Sequence, residues 1–118
     1  MNLVRKVIES TYDGTCTVTE HVEYEKENSS TGFKDEIVLI NEPCRLSFSS
    51  SQTAQQGEQA AAITQSIKLF IRPELTIKPG SKITVAQNGV TADYTRSGVP
   101  AVYPTHQEIA LELWKRWS

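Results

Sequence analysis

Four side chains are of types that do covalent or metal chemistry: Cys16, His21, Cys44 and His106. A cysteine beside a histidine becomes a thiolate nucleophile when the imidazole takes its proton. Two cysteines and two histidines can also close a tetrahedral zinc site. The spacing argues against both. None of the four belongs to a CxxC or HxxxH pair. Cys16 lies on the apolar side of the alternating run TCTVTEHVEY, and by parity His21 points to the opposite side. Cys16 and Cys44 therefore read as small buried hydrophobes. A disulfide between them is open only if their strands are neighbours. His106 follows YPT and reads as a strand-start histidine bonded to nearby backbone. Phosphate loops, a GxSxG elbow and HExxH are all absent. No catalytic, cofactor-binding or metal-ligating residue is expected, and no enzymatic activity.

The elements that would position any site are those of one small domain. The chain has 118 residues, with 38% hydrophobic and 22% charged, ordinary for a single soluble core. No apolar run approaches the roughly 20 residues of a membrane span. The start, MNLVRKVIESTYDG, lacks the apolar stretch of a signal peptide. Two cysteines do not make a disulfide scaffold, and a reducing compartment is expected. The sequon at Asn28 has no use without secretion. Residues 1–58 carry ten acids and five bases, and residues 59–118 carry four acids and seven bases. That asymmetry is too weak for a nucleic-acid-binding stripe, but it suits copies meeting head to tail.

NLVRKVIES places Leu3, Val7 and Ile8 at helical spacing, so residues 1–12 read as a short helical arm that needs tertiary contacts. TCTVTEHVEY reads as a half-buried strand with Cys16, Val18, Val22 and Tyr24 on one face. EKENSSTG is a polar turn region, and FKDEIVLI a second strand. EPCRLSF is read as a separate strand starting at Pro43, with Cys44, Leu46 and Phe48 inward. ITQSIKLFI places Ile67, Leu69 and Ile71 on one face. Asn88-Gly89 is a two-residue hairpin turn signal that pairs Gln87 with Val90, Val85 with Ala92 and Ile83 with Tyr94. The C-terminal QEIALELWKRW fits a strand through about Leu113, or a helical face of Ile109, Leu113 and Trp117. Six to eight short, mostly antiparallel strands imply an all-β fold, a small β-barrel or sandwich with a short N-terminal helix and one long polar loop.

That loop is the unusual feature. Between Ser49 and Ile63 there is no aromatic residue, no large aliphatic and one charge, Glu58. Such a segment has too little apolar surface to offset its ordering entropy. Residues 50–62 are expected to be a mobile loop, and long loops in small domains are usually functional or disordered. Trp114 and Trp117 flank Lys115 and Arg116, and read as core closure or as an interface anchor.

Three stretches carry a resemblance: EPCRLSF, then KLFIRPELTIKPGSKI, then NGVTADYTRSGVPAVYPTHQEIALELWKRW. From about Tyr12 onward the chain resembles the small head–tail connector proteins of tailed phages, the head-completion or stopper group, and within it the connectors of PBSX-type prophages. The resemblance implies a non-enzymatic β-barrel that assembles as a homo-oligomeric ring between the portal and adaptor and the tail proteins. Whether the isolated chain is a monomer is left open. The resemblance also implies assembly in the bacterial host cytoplasm, a final place in the particle neck, and no membrane. Packaged double-stranded DNA would run through the ring without sequence-specific contacts. In the stopper group a loop between two barrel strands projects into the channel, which makes Ser50, Ser51, Gln52, Gln55, Gln56, Gly57, Glu58 and Gln59 candidate channel-loop residues. Trp114 and Trp117 are candidate interface residues. The rival readings are an OB-like nucleic-acid-binding module, which needs a basic aromatic groove, and a tail-terminator-type protein on a similar fold.

Overall fold

The computed structural model describes residues 3–53 and 62–117. A helix, α1 (Leu3–Glu9), precedes seven strands: β1 (Gly14–Glu25), β2 (Thr31–Thr53), β3 (Ala62–Ile71), β4 (Lys82–Gln87), β5 (Val90–Arg96), β6 (Ala101–Val102) and β7 (Gln107–Leu113). Every pairing is antiparallel. The order β3-β2-β1-β4-β5-β7 is closed by hydrogen bonds between β3 and β7, and β6 adds to the outer edge of β7. Six strands thus form a closed barrel, which leaves no edge around its wall.

Alternation fills the interior. Cys16, Val18, Cys44, Leu46, Leu69, Ile71, Ile83, Val85, Tyr94, Ile109 and Leu111 point inward from six strands. Ile77, from the segment between β3 and β4, joins them. Each large aliphatic buried this way stabilises the fold by about 1.5–3 kcal/mol. The turn at Asn88-Gly89 forms in the expected register, with Val85 opposite Ala92 and Ile83 opposite Tyr94. Both turn residues have positive φ, 54° and 76°, as a type I′ turn requires. The C-terminal alternative resolves as strand, and β7 seals the barrel between β5 and β3.

Three expectations are corrected. FKDEIVLI and EPCRLSF are not separate strands but parts of β2. Two register shifts against β1, between Cys16 and Val18 and between Val18 and Thr19, place extra residues on β2. Asn41 takes φ 50° there, and its N–H donates to Thr17 Oγ1. The bulges bend the strand instead of ending it, and Pro43 sits just beyond them, inside the strand. Second, the first hairpin extends further than its polar composition implied: β1 and β2 pair as far as Glu25 opposite Thr31, so the turn is only residues 26–30. Third, the apolar faces of the first two strands are not core throughout. β1 pairs with β4 only over residues 15–19, and beyond them β1 and β2 leave the barrel as a ribbon. Tyr24 and Phe33 on that ribbon are exposed, and so are Ile37 and Ile40 on the outer wall at its base and Phe48 further along β2.

Helix α1 buries none of its residues, and Leu3 and Val7 of its expected apolar face are exposed; its long-range tie is an ion pair. Arg5 donates from both terminal nitrogens to the two Glu74 oxygens, at 2.7 and 2.5 Å, and from Nε to Glu9. The guanidinium holds the Glu74 carboxyl below the usual carboxylate range.

Candidate functional site

The four reactive side chains lie in three different places. Cys16 and Cys44 are buried in the barrel as free thiols. Their strands are neighbours, and Gly14 rather than Cys16 stands opposite Cys44, so the thiols meet diagonally. A hydrogen bond to Cys44, reinforced by burial, pushes the Cys16 thiol far above its ordinary range. A thiol held neutral in this way is no nucleophile. Among the described residues, no group of three or more His, Cys, Asp or Glu side chains is placed to hold a metal ion.

His106 sits at the start of β7 with side-chain partners, where backbone partners were expected. Thr105 Oγ1 lies 3.0 Å from Nδ1, and Glu108 Oε2 lies 2.9 Å from Nε2. Tyr103 stacks on its ring at 5.0 Å. Beside it, a largely apolar hollow of about 280 Å³ separates α1 from the barrel, lined by Val7, Ile8, Tyr12, Arg45, Phe70 and His106. Tyr12 Oη is buried without a hydrogen-bond partner among the described residues, and burial raises the phenol's pKa. This hollow has no signal in the sequence, because it forms only where residues of the helical arm come together with Arg45 of β2 and Phe70 of β3.

His21 lies on the ribbon of β1 and β2, between two aromatic rings. Phe33 stacks on one side at 4.8 Å, and Trp117 at 4.8 Å. Asp35 Oδ1 is 3.1 Å from Nδ1. Trp117 also meets Trp114 edge-on at 4.4 Å, and the backbone N–H of Trp114 donates to the Asp93 carbonyl. The tryptophans are therefore half-buried against the ribbon rather than packed in the core. Parity on β1 and β2 makes His21 and Phe33 same-face neighbours. The reach of the chain end back to them has no sequence signal.

The insert is entered from both sides by regular structure. β3 leaves β7 at Ile67, yet β2 and β3 continue to pair with each other up to Thr53 opposite Ala62. Ser49 and Ser66 bond across the ribbon, Oγ to Oγ, at 2.6 Å. Ser50, Ser51 and Gln52 pair with Gln65, Thr64 and Ile63 in backbone register. Five residues from Ser49 to Thr53 reach about 17 Å past the barrel wall at strand rise. The other candidates, Gln55, Gln56, Gly57, Glu58 and Gln59, lie outside the described residues. The candidate site is thus the barrel end from which this second ribbon projects, and it is separate from every reactive side chain above.

No protein-family model matches the chain, and no curated protein matches it. Among solved structures, it is similar to the protein xkdH of the phage-like element PBSX from Bacillus subtilis, at 13% identity and a TM-score of 0.48, covering 82% of this chain and 90% of that one.

Proposed function

We propose that this chain is a non-enzymatic head–tail connector of a phage or phage-like particle, one subunit of a ring joining the portal and adaptor to the tail. The observation that carries the reading is a closed barrel with the β2–β3 ribbon projecting from it. The two strands of that ribbon begin and end in EPCRLSF and KLFIRPELTIKPGSKI, two of the stretches on which the resemblance to stopper proteins rests. A barrel is a suitable ring block, because its rigid wall carries permanent contacts while a projecting ribbon is free to face a lumen.

The insert's chemistry fits a plug. Residues 50–62 hold no lysine or arginine, so they obstruct DNA by bulk without gripping phosphates. A ring repeats each insert around its axis, and many weak contacts then add. Glutamine side chains supply donors and acceptors for bonds between neighbouring inserts. Such a plug is displaced when the particle ejects its DNA. Assembly takes place in the host cytoplasm, and the finished ring resides in the particle neck.

Deleting residues 50–62 in the parent genome tests the plug. The deletion leaves residues 63–65 as a three-residue hairpin loop between Ser49 and Ser66, a length that hairpins accept, so the barrel is retained. Negative-stain microscopy is expected to show tailed particles with emptied heads. Filled heads with tails attached would remove the plug and leave a plain joining ring. Deleting the whole chain is expected to yield tailless heads and free tails, and normal tailed particles would overturn the connector reading itself.

A further inference from the structure

The ribbon of β1 and β2 has no role in closing the barrel, and it is built unlike the rest of the molecule. Over Glu20–Glu25 and Thr31–Glu36 these strands pair only with each other. Both outer edges therefore present unpaired backbone N–H and C=O groups, the arrangement that natural proteins cover or pair. Phe33 is 60% exposed on this arm, and Ile37 and Ile40 are 57% and 66% exposed on the barrel wall at its base. Residues 20–40 hold six acids and two lysines, a net charge of −4. The whole chain carries −2, so everything outside the arm carries +2. Glu23, Glu25 and Glu27, nearest the tip, form no ion pair among the described residues.

The opposite character is found in an open groove of about 610 Å³ where β5 and β7 end. Arg96, Lys115 and Arg116 line it against a single acid, Glu112. Leu113, which is 63% exposed, and Trp114 supply apolar surface. Lys115 and Arg116 form no ion pair among the described residues. An acidic arm with exposed apolar side chains and a basic groove with an exposed leucine are complementary in charge and in chemistry.

We propose that the β1–β2 arm of one copy docks into the Arg96–Lys115–Arg116 groove of a second copy of this chain. The contact is heterologous: each copy offers one arm and one groove, so the interface propagates from copy to copy and closes as a ring when the rotation allows. At about 3.4 Å per residue, the six residues Glu20–Glu25 give the arm a reach of roughly 20 Å, enough to cross to a neighbour. Complementary charge brings the copies together and fixes their direction. The apolar side chains and the free strand edges are covered once they meet. This inference rests on the ring of the proposed function only for how many copies join.

Sedimentation velocity of the full chain tests it. The natural chain is expected to associate at millimolar protein in low salt, and to lose association in high salt. One variant carries Glu23→Lys, Glu25→Lys and Glu27→Lys, and a second carries Lys115→Glu and Arg116→Glu. All five positions are exposed, and urea unfolding verifies that both variants fold. Each alone is expected to be monomeric. Mixed in equal amounts they are expected to associate again, because the intact groove of the first meets the intact arm of the second and the reversed arm of the first meets the reversed groove of the second. A natural chain that stays monomeric, variants that each associate as it does, or a mixture that stays monomeric would each overturn the docking surface. The connector reading would still stand or fall on particle morphology alone.

Discussion

Gln107 shows how much one side chain can hold in place. It is 2% exposed, and its Nε2 donates to the carbonyls of Arg72 and Leu75 at 3.0 and 2.6 Å. These bonds tie the segment after β3 to the first residue of β7. Gln107→Ala leaves two carbonyls without their donor, and a cost of about 2–4 kcal/mol is expected. Urea unfolding would read it as a lower midpoint at unchanged slope. A cost under about 0.5 kcal/mol would show that water replaces the amide. The burial of Gln107 was not legible in the sequence, since Leu113 has the same parity and is 63% exposed; only the shared face of Ile109 and Leu111 was legible from alternation. The burial of Cys16 and Cys44 followed in the same way. The stacking of His21 between Phe33 and Trp117 did not, because it joins residues about 90 positions apart and depends on the path of the chain after β7.

Among the elements, the β4–β5 hairpin was fully legible, because turn chemistry and alternation agree on one register. Its turn therefore makes a clean test. Gly89 has φ 76°, and a β-carbon added there meets nothing within 4 Å. Gly89→Val introduces backbone strain without a clash, and about 1–2 kcal/mol of destabilisation is expected. Gly89→Asn is expected to cost less, since asparagine tolerates the left-handed region. Equal costs would mean that the turn shifts to another type. β2 was harder to read because Asn-Glu-Pro looks like a strand end. The bulges at Asn41 let one strand serve the arm, the barrel and the second ribbon in turn. The exposure of Phe33, Ile37 and Phe48 was hidden for a related reason. Periodicity tells which face a residue takes, but not where a strand leaves the barrel.

On the scale of the whole molecule, a closed wall is combined with two ribbons that begin at opposite ends of β2. One ribbon is acidic and carries exposed apolar side chains. The other leads into the polar insert at residues 50–62. The charge asymmetry between the halves of the sequence becomes an acidic arm set against a basic groove, which was not visible until the strands were placed. This division of labour suits a ring that is held together by its arms and presents its inserts to a lumen. Cryo-electron microscopy of the parent particle's neck tests the connector claim most directly. The expected result is a layer of barrels between head and tail into which this chain fits copy by copy, with the β2–β3 ribbons turned to the axis. A neck in which no layer accommodates the barrel, or purified particles that lack the chain altogether, would contradict it.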